Sequence, residues 1–154
     1  MNDEKFMHLA IEEAKLAADE NEVPIGAVAV IDDVVVGRSH NVRERTNNPL
    51  GHAELLLIES LAKDVKSWRL EDVTIYVTCE PCIMCTGSML QARVKRVVYG
   101  CKDPKAGAMG SLYDLAGDDR LNHKIEVTSG VLGDECAKLL IDFFRRLRGE
   151  KQGE

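Results

Sequence analysis

Between Asn2 and Asn21 the apolar residues Phe6, Leu9, Ala10, Ala14 and Ala17 recur with helical spacing, which predicts an amphipathic helix that Asn2 or Asp3 would cap. The period then changes. "IGAVAVI" and "VVVGRSH" are apolar, β-branched runs on either side of Asp32-Asp33, the pattern of a hairpin. Residues 41–51, "NVRERTNNPLG", are polar and contain Pro49 and Gly51, so they read as a loop. Beyond it helix and strand patterns alternate. "HAELLLIESLAKD" reads as a helix, "VTIYVT" as a strand, "PCIMCTGSMLQA" as a helix and "KRVVYG" as a strand. A loop, "CKDPKAGAMGS", and a short strand, "KIEVTSG", precede a last amphipathic helix over 132–148, with Cys136, Leu140, Phe143 and Leu147 on one face. Five strands interleaved with helices predict a single α/β domain over 1–154, a three-layer α/β/α sandwich around a central mixed five-stranded sheet with right-handed crossovers. In such sheets sites form beyond the carboxyl ends of strands. "TCEPC" stands there, at the end of "VTIYVT".

Composition narrows the setting. Residues are 45% apolar and 30% charged, as in ordinary globular chains, and no run approaches the ~20 apolar residues a membrane span needs. The N-terminal segment is acidic and helix-like, not basic and then apolar like a secretory leader, so the expected compartment is the cytoplasm. In a reducing compartment five cysteines point to metal ligation or free thiols before disulfides. The net charge of −6 by itself argues against a nucleic-acid partner. Its distribution argues differently: Arg93, Lys95, Arg96, Lys102 and Lys105 face only Asp103, and Arg145, Arg146, Arg148 and Lys151 face only Glu150. From composition alone, the simpler reading of both groups is a solvated surface.

The chemistry concentrates at residues 78–85, "TCEPCIMC". Proline suits a first helical turn, because its missing N–H has no intrahelical partner there. Pro81 is therefore expected to open the helix, with Cys82 and Cys85 on one face of its first turn, near the positive end of the helix dipole that favours thiolates. Two such thiolates are half of a zinc site. Alone, a Cys-x-x-Cys pair is only moderately specific and could also be a redox couple or a chance pairing among five cysteines. "GHAEL" at 51–55 supplies a second half, since His52 opens another helix whose start can face the same sheet edge. Three protein ligands would leave a fourth position for water, the layout of a catalytic zinc. Glu54, two residues on, must then lean over the metal or follow an irregular helix start, where it could take the proton of water and hand it on. H-x-E with P-C-x-x-C is the signature of zinc deaminases of nucleobases, in which activated water attacks the amidine carbon, ammonia leaves and a carbonyl remains. A non-enzymatic zinc module would instead want a fourth protein ligand and would give Glu54 no task. Cys79, the nearby candidate, lies on the wrong side of Pro81.

With these residues in place the chain resembles the bacterial tRNA-specific adenosine deaminases, of the cytidine deaminase-like superfamily. The resemblance runs through "EVPIGAV" (22–28), "HN" (40–41), "HAE" (52–54), "SWRLEDVTIYVTCEPCIMC" (67–85), "RVVYGCKDPKAGAMGSL" (96–112), "NH" (122–123) and "SGVL" (129–132). It implies a cytidine deaminase-like fold, wobble adenosine to inosine conversion in a tRNA anticodon stem–loop, one zinc per subunit on His52, Cys82 and Cys85, Glu54 as proton shuttle, and a homodimer. It also implies that Asn41 reads the flipped adenosine in a pocket lined by Val23 and Ile25. Asp103, Lys105 and Asn122 would hold neighbouring nucleotides, and Phe144 and Arg148 would meet the loop from the last helix. Departures from the family pattern fall at Leu50-Gly51, Cys79 and Thr86-Gly87. Taken singly, Asn41 is also a common turn residue, and Phe143 and Phe144 cannot both face a core. Cys101 and Cys136 read as buried thiols and Met84 as core; His8, His40 and His123 do not read as ligands. The competing reading is a deaminase of a free nucleobase or nucleoside, which would not need the basic stretches.

Overall fold

The β-branched runs before and after Asp32-Asp33 form the expected hairpin. In the computed structural model, which describes residues 2–152, strand β1 is Gly26–Ile31 and β2 is Val34–His40, paired antiparallel with a register shift between Ala29 and Val30. Asp32 and Asp33 have φ of 49° and 62°, the left-handed pair that matches a hairpin's twist. The remaining strands are β3 (Thr74–Cys79), β4 (Arg96–Cys101) and β5 (Glu126–Thr128). The sheet order is β2-β1-β3-β4-β5, antiparallel across β1–β3 and parallel across β3–β4 and β4–β5. The sheet is therefore mixed and five-stranded, as predicted.

Four helices cover it: α1 (Asp3–Asp19), α2 (Ala53–Val65), α3 (Ile83–Gln91) and α4 (Gly133–Gln152). Strand residues alternate between two cores. Ala27, Ala29, Ile75, Val77, Val97 and Tyr99 join Leu57, Leu61 and Met89 of α2 and α3. Val28, Val30, Tyr76 and Val98 join Phe6, Met7, Ala10 and Ile11 of α1, with Cys136 of α4. Fully burying a side chain such as Phe6 contributes about 1.5–3 kcal/mol, so each face is fixed by its own apolar set. On one face the contact is closer than side chains allow. A Cβ on Gly26 would collide with the Ala10 carbonyl and the Ala14 amide, so α1 lies backbone against backbone on β1.

Five local expectations need correction. Asn2 holds the N-cap position of α1 without a side-chain cap bond, and Asp3 is drawn away into a pin. Its carboxylate accepts from Arg96 Nη1 at 3.0 Å and Nη2 at 2.8 Å, and from Tyr76 Oη at 2.7 Å. A bidentate, charge-assisted pair outweighs a single cap bond, and the Arg96 bonds hold the Asp3 carboxyl below the usual range. Pro81 does not occupy the first turn of α3. The helix begins at Ile83, with Cys82 as its N-cap, because proline disfavours helical backbone at Glu80 and the chain turns only after an extended Cys82. On α4 the packed stripe runs through Cys136, Leu139 and Phe143; Leu147 is 37% exposed, because the helix has run past the core by then. Met84 is only half-buried, and Met89 takes the core position expected of it. Cys136 is buried and Cys101 is half-buried.

Candidate active site

Two helix starts and two loops converge beyond the carboxyl end of β3. His52 is the N-cap of α2, with φ −82° and ψ 144°, so its side chain departs from the helix direction. Glu54 is then the first-turn acid of a regular helix and is 4% exposed. Cys82, the N-cap of α3, is equally extended, with ψ of −179°. His52 Nδ1 lies 3.6 Å from Cys82 Sγ and 3.6 Å from Cys85 Sγ. Ligand atoms on a tetrahedral zinc, with Zn–S of about 2.3 Å and Zn–N of about 2.0–2.1 Å, stand roughly 3.5 Å apart. The three donors therefore fit such an ion, and all three lie within 4.8 Å of one another. Neither Cys79 nor His8, His40 or His123 joins this group among the described residues. His40 instead meets Glu13 and Glu20, and His123 meets the Val94 carbonyl.

The protons are distributed accordingly. A bond from the Cys85 thiol, then one with His52, hold Cys82 down to about 4, while the neighbouring Cys82 thiolate and burial push Cys85 up. The Cys82 thiolate also raises His52. Burial pushes Glu54 up to about 7. Two cysteine sulfurs and an imidazole around one point are the donor set of a borderline-to-soft cation, to which both sulfurs would bind as thiolates.

His52, Glu54 and Cys82 of this group line a cavity of about 220 Å³. That is below the ~300–1,000 Å³ of pockets for drug-sized ligands, and matches a single ring system. Val23, Ile25, Asn41 and Asp103 line it with His52, Glu54 and Cys82. Asn41 is both a wall and a turn device: it is 7% exposed, its Nδ2 donates to the Val23 carbonyl at 3.2 Å, and its Oδ1 accepts from Arg43 N at 3.0 Å. Asp103 Oδ1 accepts from Lys105 N and Ala106 N, closing its own turn. Lys105, Asn122, Phe144 and Arg148 stand outside the cavity wall and are exposed.

The basic stretches are less free than their sequence suggests. Arg96 is committed to Asp3, and Arg146 Nη2 donates to the Ala18 carbonyl at 3.3 Å, at the end of α1. Arg145 and Arg148 remain exposed, and the side chain of Lys151 lies outside the described residues. At the three departures, Leu50 is 51% exposed, Cys79 lines the cavity beside its register partner Cys101, and the buried Thr86 hydroxyl has no partner among the described residues.

Three residues were not singled out in the sequence. Arg43 lines the cavity. Glu22 is 0% exposed and accepts from Glu44 N at 2.9 Å and Arg45 N at 2.7 Å, holding the loop that delivers His52. Glu80 is 3% exposed and is bonded to the 103–111 loop. For Glu80 the available signal was an acid placed directly after an apolar strand, where solvent does not explain it.

Known proteins are similar to this chain in sequence and fold. A profile of the MafB19-like deaminases matches residues 1–148. The tRNA-specific adenosine deaminase of Bacillus subtilis (strain 168) is 49% identical over 150 residues, spanning 97% of this chain and 93% of that protein. A structure from a study of A-to-I editing by tRNA:A34 deaminases at the wobble position of transfer RNA superposes with a TM-score of 0.85 at 39% identity, covering 88% of this chain and 99% of that one. A guanine deaminase from Bacillus subtilis superposes with a TM-score of 0.64 at 33% identity, over 72% of this chain and 71% of its own.

Proposed function

Because the chain belongs to the MafB19-like deaminase family and to the tRNA-specific adenosine deaminases, we propose that it hydrolyses adenosine to inosine at the wobble position of tRNA anticodons. The observation that carries this reading is a buried Glu54 beside a His52–Cys82–Cys85 group, at the floor of a cavity the size of one ring system. We assign the group to one zinc ion, which when bound supplies Lewis-acid activation of water.

The chain's own residues divide the remaining work. Glu54 takes one proton of the attacking water and gives it to the ring nitrogen, then moves the second, from the new hydroxyl on the amidine carbon, to the departing amine; the C–N bond breaks, ammonia leaves and a carbonyl remains. Burial keeps this carboxyl up to about 7, so its two forms are both within reach near neutrality. Asn41 has a second Nδ2 hydrogen and a second Oδ1 lone pair left for the base edge. Val23 and Ile25 flank the ring. Asp103, Lys105 and Asn122 hold neighbouring anticodon nucleotides, and Phe144 and Arg148 meet the loop from α4. The whole chain 1–154 acts as one deaminase domain in the cytoplasm; no described helix is long and apolar enough to cross a membrane. A homodimer would cover exposed apolar residues such as Trp68 (59%) and Ile83 (52%).

The test is incubation with transcribed tRNAs, an anticodon stem–loop, free adenosine and free guanine, reading inosine or xanthine. Inosine at the wobble position of the tRNA and stem–loop is the expected result. Turnover of guanine or adenosine alone would replace this reading with the free-base one, for which the 33% identity to a guanine deaminase speaks.

A further inference from the structure

Glu80 stands two residues before Cys82 and lines the cavity, yet the reaction above gives it no task. It is 3% exposed, and among the described residues all its side-chain partners come from one loop. Oε1 accepts from Asp103 N at 3.1 Å and from the Ser111 hydroxyl. Oε2 accepts from Met109 N at 3.0 Å and Ser111 N at 3.0 Å. Carboxylates bonded to several amides hold them more firmly than neutral acceptors do. The loop also passes too close for any side chain at its middle: a Cβ on Gly107 would collide with the Glu80 carboxyl. Two backbone links tie the same loop to the ligand segment. Ala108 N donates to the Pro81 carbonyl at 2.9 Å, and Gly107 bridges Cys82 antiparallel.

We propose that Glu80 is a positioning residue whose buried carboxylate holds the 103–111 loop against the metal-ligand group, and so fixes where nucleotides flanking the target adenosine are bound. This rests on the tRNA deaminase reading. The loop presents Asp103 and Ala106 to the cavity and Lys105 to its surroundings. Its distance from Cys82 therefore sets the spacing between the reacting base and its neighbours. Glu22 holds the opposite loop by two amides, whereas Glu80 joins a cavity-lining loop to the start of α3 through four side-chain bonds, beside the two backbone links.

Glu80→Gln keeps the volume and turns one acceptor into a donor facing the loop's own donors. On an anticodon stem–loop, KM should rise between about tenfold and 10²-fold, the scale of a small misplacement, with kcat within a few-fold and zinc per chain unchanged. Amide exchange at Met109 and Ser111 should accelerate. Ser111→Ala, which removes one of the four bonds, should move KM and exchange the same way by less. A kcat fall with KM unchanged, or loss of zinc, would overturn the proposal, as would amide protection equal to wild type. If Glu80→Gln does not fold, wild-type KM and exchange in Ser111→Ala overturn it. A wild-type protein inactive on the stem–loop would instead defeat the functional reading, and the exchange comparison alone would then decide whether the clamp exists.

Discussion

At the start of α2 and at the start of α3 the N-cap residue, His52 in one and Cys82 in the other, has extended backbone and makes no side-chain cap bond. Cap residues of the usual types stabilise a helix by about 0.5–2 kcal/mol, and both helices forgo this while the His52 and Cys82 side chains meet each other instead. The two starts then diverge. After His52 comes Glu54, a carboxyl raised by burial, so in the proposed reaction α2 would supply one zinc ligand and the proton shuttle. After Cys82 comes Cys85, and before it Glu80, so α3 carries the negative charge of the donor set and the tie to the 103–111 loop. One local geometry thus serves two tasks, and the residue that follows each cap decides which.

The largest effect is expected from breaking the α3 start. Cys82→Ala with Cys85→Ala should abolish zinc content, read by elemental analysis, and with it all turnover; full zinc in that variant would refute the ligand set. Glu54→Gln tests the α2 start from the other side. Zinc should stay at one per chain while the rate falls by at least the ~10²–10⁴ of a general acid–base group, and single-turnover kinetics at wild-type speed would move the proton to another residue. Asn41→Ala loosens the loop that delivers His52 and strips the base of a partner. It should raise KM about tenfold and cost about 1–3 kcal/mol in urea denaturation, for two lost hydrogen bonds.

Asp3 offers a comparison on the opposite face of the sheet. Its folded carboxyl is lowered by Arg96, so its contribution is present above the unfolded value near ~3.9 and is lost as pH falls through the folded one. Asp3→Asn should cost about 1.5–3 kcal/mol at pH 7, the scale of a charged hydrogen bond. The difference from wild type should shrink in denaturation at acid pH, with zinc untouched. The smallest effect is on charge alone. Arg145→Ala with Arg148→Ala should flatten the slope of log K against log salt for stem–loop binding by up to about 1.4 units, at roughly 0.7 per phosphate. Arg146→Ala should instead loosen α4 from α1, because its guanidinium is bonded to Ala18; an equal salt effect there would mean the bond does not persist in solution.

The strands and helices were legible because their apolar residues follow periods of two or about 3.6, and these survive into two separate cores. The convergence of His52, Cys82 and Cys85 was legible because metal ligands need particular residue types at particular spacings. The groups that hold the site were not. Glu22 and Glu80 accept from backbone amides at least 22 residues away, and any residue type can donate an amide. The same blindness affected cations: Arg96 and Arg146 looked like free positive charge, and both are spent on intramolecular partners that no local pattern marks. The sequence expectation for Pro81 is two residues too far into the helix, since its fixed φ suits a first turn and an approach to a cap alike.

Where α1 crosses β1 there is room for no atom beyond the backbone at Gly26. The consequence is a restriction on how this sequence can drift. Ala10, Ala14 and Ala17 are each 0% exposed on the inner stripe of α1. A larger residue at any of them, or any side chain at Gly26, would have to lift the helix from the sheet. These sites are therefore joined as one unit of inheritance: a change at one should be tolerated only in a background where another has already yielded space. Surface positions a single turn away, such as Lys15, should vary independently.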